Sequence, residues 1–172
     1  ILDWAKKNNL DLVIIGPENP LEAGIVDILE KNNINCFGPK KNFAKLETSK
    51  IFCRRYLSKL EEIYDVKLNP EYFSFDNIDI LKEKIKNYDK KIVIKKDKLF
   101  GGKGVLVMDD HFKTYDEVLN ICLEYFNNNE QFHIEEKLEG EEFSLISITD
   151  GINIQHCPSI QDYKRAYSGN TG

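Results

Sequence analysis

The sequence lacks the features that mark several specialised classes of protein. Its net charge is −5 over 172 residues, whereas a general nucleic-acid-binding domain has a basic footprint. No apolar run approaches the roughly 18 residues of a membrane-spanning helix, and no basic-then-apolar leader stands at the start. We therefore expect no nucleic-acid or membrane partner. Because 41% of the residues are apolar, the composition is typical of a globular protein with a sizeable core.

Metal and redox motifs are also lacking. The four cysteines (Cys36, Cys53, Cys122 and Cys157) lie far apart and have no metal or redox spacing, which is typical of free thiols in a reducing compartment. We therefore expect a cytoplasmic protein. The three histidines (His111, His133 and His156) have no metal spacing either, so we assign them surface or packing roles.

An α/β unit is predicted for the first part of the chain. Residues 11–15 form a continuous apolar strand, which is typical of a buried parallel strand. A helix over 20–31 and a short strand within 33–39 then complete a βαβ unit, the closing part of a doubly wound sheet. Glu18 follows the first strand at the edge where such sheets bind ligands, so it is a candidate to contact a substrate. The spacing alone favours the alternative, a helix-entry acid that complements the helix dipole.

A small α+β subdomain is predicted for residues 73–138. Its elements, in order, are a strand at 73–75, a helix over 77–90, two strands within 92–108, a helix over 116–126 and a strand over 131–138. Residues 40–60 precede it as one helix or two short ones, with Lys50 near a helix start.

Residues 92–108 carry the strongest local signal, a strand, a Gly-rich loop and a second strand. Gly101, Gly102 and Gly104 allow a bound group to approach the backbone closely, and successive N–H groups of such a loop can point at an anion. Lys95 and Lys103 add positive charge. The loop is therefore either a lid over nucleotide phosphates or a Gly-rich hairpin with solvated lysines.

The last part of the chain predicts a hairpin followed by a loop. Residues 143–149 alternate as one strand, Asp150-Gly151 is a hairpin turn signal, and 152–157 form the return strand. Residues 158–172 are polar and predict a loop. The chain begins at Ile1, inside a predicted helix, and stops at Gly172, so we expect a piece of a longer protein.

Several motifs occur together in a fixed order, which is more specific than any one of them. They are Gly-Pro-Glu-x-Pro-Leu at 16–21, Phe-Gly-Pro at 37–39, Leu-Glu-x-Ser-Lys at 46–50, Val-Ile-Lys-x-Asp at 93–97, Gly-Gly-Lys-Gly-Val at 101–105, Ile-Glu-Glu-x-Leu-x-Gly-Glu-Glu at 134–142 and Gln-Asp-x-Lys-Arg at 161–165. Over nearly its whole length the chain resembles the phosphoribosylamine–glycine ligase family of the ATP-grasp superfamily.

This resemblance implies a fold of mixed α/β and α+β class. Residues 1–48 would be the end of a Rossmann-like N-terminal substrate domain that precedes the ATP-grasp domain. Residues 49–137 would be the small ATP-grasp subdomain with its linker helix, and 138–172 the start of the large subdomain.

The resemblance also implies an activity. ATP phosphorylates the carboxylate of glycine, and the amine of 5-phosphoribosylamine attacks the acyl phosphate to give glycinamide ribonucleotide, ADP and phosphate. The implied cofactors are ATP with Mg²⁺ or Mn²⁺, and the implied assembly is a monomer. The family's metal-binding acid and asparagine are expected beyond residue 172, so this stretch alone is expected to be inactive.

Site residues follow from the matched motifs. For ATP they are the phosphate lysines Lys50 and Lys95, the lid residues Gly101, Gly102, Lys103 and Gly104, the adenine hinge Glu135, Glu136, Lys137 and Leu138, and the ribose carboxylate Glu142. At the hinge, the backbone would read the base more than the side chains do. Lys95 also counts as a catalytic residue.

The substrate loop is assigned to Asp162, Lys164 and Arg165, with catalytic and substrate-binding roles. This loop departs from the family pattern, because Tyr163 stands where histidine is usual and Asn170 where aspartate is usual. Two alternatives remain open: another ATP-grasp ligase acting on a different carboxylate or amine, and an ATP-binding module without chemistry.

Overall fold

The computed structural model describes residues 1–75, 77–97, 104–161, 163 and 167–169. The helices are α1 (Leu2–Lys7), α2 (Glu18–Ala23), α3 (Ile25–Lys31), α4 (Lys41–Thr48), α5 (Lys50–Tyr64), α6 (Ile78–Lys86) and α7 (Tyr115–Asn127). The strands are β1 (Val13–Ile14), β2 (Cys36–Phe37), β3 (Tyr72–Phe73), β4 (Ile92–Lys96), β5 (Val105–Val107), β6 (Phe132–Glu136), β7 (Phe143–Ser144), β8 (Ser147–Thr149), β9 (Ile154–His156) and β10 (Ile160–Gln161).

The chain divides into two compact units, Ile1–Lys137 and Leu138–Gly172. The first unit contains two separate apolar cores, a small one around Leu29 and a larger one around Ile94 and Ile134. Among the helices that the structure describes, none combines the length and apolar character needed to cross a membrane.

The predicted βαβ unit is present, with β1 and β2 parallel and Val13 opposite Cys36. The single helix predicted over 20–31 is wrong, because Gly24 separates α2 from α3. Its φ of +85° lies in the left-handed region, where glycine carries no steric penalty. The N–H of Gly24 donates to the carbonyl of Leu21 and ends the first helix.

The prediction that the first strand is buried is wrong for one of its faces. Val13 and Cys36 pack against the small core, whereas Ile14 is 68% exposed and Phe37 is 44% exposed. Side chains alternate between the two faces of a strand, and within the described residues only one face of this two-stranded sheet is covered. The continuous apolar sequence of the strand therefore places apolar side chains on both faces, although only one of them is covered.

The predicted α+β subdomain is confirmed as a four-stranded sheet with the order β3-β6-β4-β5. All neighbouring strands are antiparallel, and Lys95 of β4 lies opposite His133 of β6. β3 overlaps the strand predicted at 73–75 and forms one edge of the sheet. β5 forms the other edge, and the backbone N–H of Lys96 donates to the carbonyl of Gly104 where β4 and β5 separate.

The two faces of this sheet have different chemistry. On the apolar face, Ile92, Ile94 and Ile134 are fully buried in the core formed with α6 and α7. On the opposite face lie the intervening residues of the same strands, including Lys95 and Glu135. Helix α5 reaches this polar face through its side chains.

The second unit contains two small antiparallel pairs, β7 with β10 and β8 with β9. The predicted hairpin at Asp150-Gly151 is confirmed, and the Asp150 carboxylate accepts hydrogen bonds from the N–H groups of Ile152 and Asn153. Two expectations are wrong here. Residues 143–149 form two strands with different partners, and the predicted loop 158–172 contains β10 because residues 160–161 pair with β7.

Candidate functional site

A buried carboxylate stands at the centre of the polar face. The Glu135 side chain is 4% exposed, and the Lys95 Nζ atom lies 2.6 Å from its Oε2 atom. The Arg54 Nε atom of α5 lies 2.5 Å from Oε1, and the His133 Nε2 atom lies 2.7 Å from the same oxygen. Strand alternation produces this cluster, because Lys95, His133 and Glu135 all project from one side of paired strands.

His133 completes the cluster from inside the protein. Its side chain is fully buried, and an ionised carboxylate only accepts hydrogen bonds, so Nε2 is the donating nitrogen towards Glu135. Its Nδ1 atom has no hydrogen-bond partner among the residues that the structure describes. The burial of His133 agrees with the packing role predicted from the sequence, but its contact with Glu135 in a polar cluster was not predicted.

The environment of Glu135 favours its ionised form. Burial raises the pKa of this carboxyl group, but the hydrogen bonds from His133, Arg54 and Lys95 together outweigh burial, and the net pKa lies well below its usual range. The carboxylate is therefore a permanent negative charge at neutral pH, with two full cations beside it.

The start of α5 is held against the end of β4. The Asp97 carboxylate accepts hydrogen bonds from the Ser49 hydroxyl, at 3.0 Å, and from the Ile51 N–H, at 3.0 Å. The Ser49 hydroxyl in turn accepts from the Phe52 N–H as the N-cap of the helix. Lys50 is the first residue of α5, as predicted from its position near a helix start, and it is thereby fixed close to the strand that carries Lys95.

Two cavities open at this helix start. Their volumes are about 510 and 420 Å³, and both are lined by Ser49, Phe52 and Asp97. The second is also lined by Lys41, Lys45 and Glu22, so both cations and carboxylates face it. The helix start therefore borders open space of mixed charge.

Two of the residues predicted to form the adenine hinge, Glu136 and Lys137, use their side chains inside the first unit. The Glu136 carboxylate accepts from the Glu71 N–H and pairs with Lys90, and these two interactions lower the pKa of Glu136. The Lys137 Nζ atom donates to the Met108 carbonyl at 3.0 Å. The side chains of both residues are therefore occupied by the fold, and a ligand at this segment would meet backbone groups.

Lys96 differs from its neighbour Lys95. Its Nζ atom lies 2.5 Å from the Glu130 carboxylate and 4.2 Å from the centre of the Tyr125 ring. The two lysines at the end of β4 therefore project to opposite faces of the sheet. Only Lys95 joins the polar cluster with Glu135.

The remaining predicted site residues are more scattered. Glu18 is the first residue of α2, where an acid complements the helix dipole, and it also lines an apolar cavity of about 350 Å³ with Leu21 and Phe43. Gly104 is buried immediately before β5. Leu138, which is 69% exposed, and Glu142 belong to the second unit.

Six predicted site residues lie outside the described part of the chain: Gly101, Gly102, Lys103, Asp162, Lys164 and Arg165. Of the substrate loop, Tyr163 is described, and its hydroxyl donates to the Gln161 side chain at 3.0 Å. Within the described ranges, no group of three His, Cys, Asp or Glu side chains has the geometry of a metal site, so we assign no metal ligand there.

Arg54 is the residue that the sequence analysis missed. It lies in α5 beside a second arginine, Arg55, and it reaches a carboxylate 81 positions away. No local pattern reports such a contact. The spacing of Lys95, His133 and Glu135 on paired strands could have identified the cluster, because the β4–β6 register places all three on one face.

Comparisons with known proteins cover the whole chain. A family model described as the N domain of phosphoribosylglycinamide synthetase matches residues 1–47, and one described as its ATP-grasp (A) domain matches residues 48–172. Proteins named phosphoribosylamine–glycine ligase from Methanobrevibacter smithii and Clostridium acetobutylicum are 40% and 38% identical over the entire chain. The chain spans 39% and 41% of their respective lengths.

Solved structures give the same result. The crystal structure of phosphoribosylamine–glycine ligase from Thermotoga maritima aligns with the whole chain at a TM-score of 0.76 and 27% identity, over 41% of its own length. A D-alanine–D-alanine ligase from Bacillus anthracis complexed with ATP aligns over 92% of this chain and 50% of its own, at a TM-score of 0.59 and 19% identity, which shows a shared fold. By its sequence matches and its fold, the chain belongs to the phosphoribosylglycinamide synthetase family.

Proposed function

We propose that the full protein is an ATP-dependent ligase that joins glycine to 5-phosphoribosylamine in purine biosynthesis. A carboxylate oxygen of glycine attacks the γ-phosphorus of ATP, the bond to the ADP oxygen breaks, and glycyl phosphate forms. The amine nitrogen of phosphoribosylamine then attacks the acyl carbon and loses a proton as phosphate leaves. The products are glycinamide ribonucleotide, ADP and phosphate.

The observation that carries this proposal is the position of Lys95. Phosphoryl transfer requires cations and N–H donors arranged around the phosphates before the reaction begins. Lys95 projects from the polar face of the sheet at the end of β4 that leads to the Gly-rich segment. Lys50 is fixed at the adjoining helix start by the contacts of Asp97. The two lysines that the family motifs assign to phosphate therefore lie on two elements, β4 and α5, that are joined by the contacts of Asp97.

The other roles and the domain limits are part of the same proposal. Residues 1–48 belong to the substrate domain, 49–137 to the small ATP-grasp subdomain and 138–172 to the large one. The backbone of 135–138 lies along adenine, which agrees with the occupied side chains of Glu136 and Lys137. The roles of residues 101–104, 162–165, Glu18 and Glu142 rest on the resemblance.

The proposed cofactors are ATP with Mg²⁺ or Mn²⁺, and the protein is a cytoplasmic monomer with small-molecule substrates. The donor set fits ATP, because ammonium groups and a helix start suit phosphate oxygens. The metal ion would spread the charge of the phosphates during transfer. The chain's own residues bind and orient the nucleotide.

The decisive experiment measures ADP release by the full-length protein with glycine and phosphoribosylamine together, and with each omitted in turn. We expect ADP release that requires glycine, and glycinamide ribonucleotide only when both substrates are present. ADP release that does not depend on glycine but requires another carboxylate substrate would indicate a different ligase. ATP binding without any turnover would indicate a module without chemistry.

The phosphate site has its own test. Lys95→Ala should weaken ATP binding by about tenfold or more, because a charge-assisted contact to phosphate is lost. The matched control is Lys96→Ala, which removes the same group from the neighbouring position on the opposite face and should leave ATP affinity within about twofold. Equal affinity of the wild type and Lys95→Ala would contradict the assignment.

A further inference from the structure

The two oxygens of Glu135 have different partners. Oε1 accepts from Arg54 and from His133, whereas Oε2 contacts Lys95. Lys95 therefore holds one oxygen of a carboxylate whose other oxygen already has a cation. This division of partners decides what happens to the buried charge when Lys95 turns towards another anion.

A buried carboxylate that loses its only cation carries a large free-energy cost. If Glu135 had Lys95 alone as its counter-ion, nucleotide binding would have to break that pair and leave an uncompensated charge. With Arg54 in place, the carboxylate remains paired after Lys95 leaves. Arginine suits this role because its guanidinium group stays charged under all ordinary conditions.

Arg54 is itself held in position by a second buried residue. Asn69 is only 6% exposed. Its Nδ2 atom donates to the Arg54 carbonyl at 3.1 Å, and its Oδ1 atom accepts from Arg54 Nη1 at 3.4 Å. Asn69 is fixed in turn by the Glu61 carboxylate, which accepts from the Asn69 N–H at 2.6 Å. These contacts therefore preorganise the guanidinium group against Glu135.

We propose that Arg54 is a positioning residue for nucleotide binding: by neutralising Glu135 from the side of helix α5, it releases the Lys95 ammonium group to bind a phosphate. This inference rests on the proposed function, since it assumes that Lys95 binds ATP. Arg54 itself makes no contact with the nucleotide. Its effect reaches the phosphate only through Glu135 and Lys95.

The test measures the dissociation constant of ATP with Mg²⁺ by calorimetry on the full-length protein, without glycine or phosphoribosylamine. Arg54→Gln should weaken binding about tenfold, or ~1.4 kcal/mol, because Lys95 is then the only full cation on Glu135. Arg54→Lys, which keeps the charge, should stay within about threefold of the wild type.

The sign of a second substitution separates positioning from simple support of the fold. Adding Glu135→Gln to Arg54→Gln removes the carboxylate that retains Lys95, so the double variant should bind ATP more tightly than Arg54→Gln alone. Lost support of the fold would instead make the double variant equal or worse. Circular dichroism and thermal unfolding of each variant show that the measured protein is folded, and if Arg54→Gln does not fold, Arg54→Lys and the double variant decide.

The outcomes also separate this inference from the proposed function. A wild type that binds no ATP, or a Lys95→Ala variant with wild-type affinity, overturns the phosphate site itself. A wild type that binds ATP through Lys95, together with an Arg54→Gln variant of unchanged affinity, overturns only the role of Arg54. A double variant that binds no better than Arg54→Gln also overturns it.

Discussion

The two faces of the four-stranded sheet are built from alternate residues of the same strands, but one forms an apolar core and the other carries a charged cluster. On one face, Ile92, Ile94 and Ile134 are completely buried against α6 and α7. On the other, Lys95, His133 and Glu135 form a charged cluster with a residue of α5. The apolar face is closed to solvent, whereas the Lys95 side chain on the polar face is 24% exposed, and only this second face carries groups that can bind an anion.

This difference shows how a small domain separates stability from binding. Burial of apolar area stabilises the fold without directionality, whereas a buried ion-pair cluster adds little net stability because desolvation offsets its attraction. A charged face beneath a helix is therefore better explained by the ligand that it serves. Substitutions on the two faces should have opposite consequences.

The largest expected effect is on the apolar face. Ile94→Ala should lower the free energy of unfolding by about 2–5 kcal/mol, through lost burial and the cavity left behind. Affinity for ATP of the folded fraction should change little. Lys95→Ala, one position along β4, should cost under about 1 kcal/mol of stability, since Arg54 still pairs with Glu135, while ATP affinity falls. Urea unfolding and calorimetry on both variants test the reversal, and equal stability losses would contradict it.

A second comparison uses the helix caps on the two faces. Ser49 caps α5 by accepting from the Phe52 N–H, and Thr114 caps α7 by accepting from the Glu117 N–H. Ser49→Ala and Thr114→Ala should each cost about 1 kcal/mol of stability. Only Ser49→Ala should also weaken ATP binding, because Lys50 follows that cap. A loss of ATP affinity in both variants would show that it reflects general destabilisation.

The two faces should also fail at opposite extremes of pH. The pKa of Glu135 is lowered in the fold, so its contribution to stability is present above its unfolded value near 4.5 and is lost as the pH falls below that value. Burial, with the Glu71 charge, raises the pKa of Tyr88 from 10.0 to about 12. Stability that depends on its neutral hydroxyl is present below pH 10 and is lost as the pH rises through 12.

Matched variants isolate these two groups. Glu135→Gln should flatten the acid limb of a plot of melting temperature against pH and leave the alkaline limb unchanged. Tyr88→Phe should do the reverse at little cost in stability, because the Tyr88 hydroxyl is buried without a hydrogen-bond partner in the described chain. Identical acid limbs for the wild type and Glu135→Gln would exclude Glu135 as the source.

The smallest effect concerns the thiol of Cys122, whose reactivity measures whether solvent and reagents reach the apolar face. Cys122 is fully buried, and burial raises its pKa to about 12. Iodoacetamide at pH 8 should therefore leave Cys122 unmodified in the folded protein and modify it in urea, as peptide mass spectrometry would show. Cys157, which is partly exposed, provides the control for reagent activity. Rapid modification of Cys122 without denaturant would mean that this face opens.

Much of the fold could be predicted from local patterns. The alternation of strands and helices from 73 to 138 indicated the order of elements, and the turn signal at Asp150-Gly151 located a hairpin. The break at Gly24 was missed because an isolated glycine inside a periodic apolar pattern is often tolerated in a helix. Two features favour glycine there: its left-handed φ of +85°, and the Lys41 side chain, which a Cβ atom at this position would meet at 3.3 Å.

The candidate site was predictable in part. Ordered motifs identified Lys50, Lys95 and residues 134–142, which establishes chemistry at named positions. They described Glu135 as part of a backbone hinge and did not reveal its side-chain partners. The contact from Arg54 to Glu135 joins residues 81 positions apart, and its existence depends on how α5 lies on the sheet.

By itself, the sequence determined the family, the order of the elements and the residue types available for binding phosphate. Local propensity and strand periodicity act over a few residues, so these features can be read in order along the chain. Only the tertiary structure decided which of two adjacent lysines joins the polar cluster and which cation balances Glu135. Those outcomes depend on the pairing of β4 with β6 and the position of α5, because burial and charge compensation are properties of groups brought together in space.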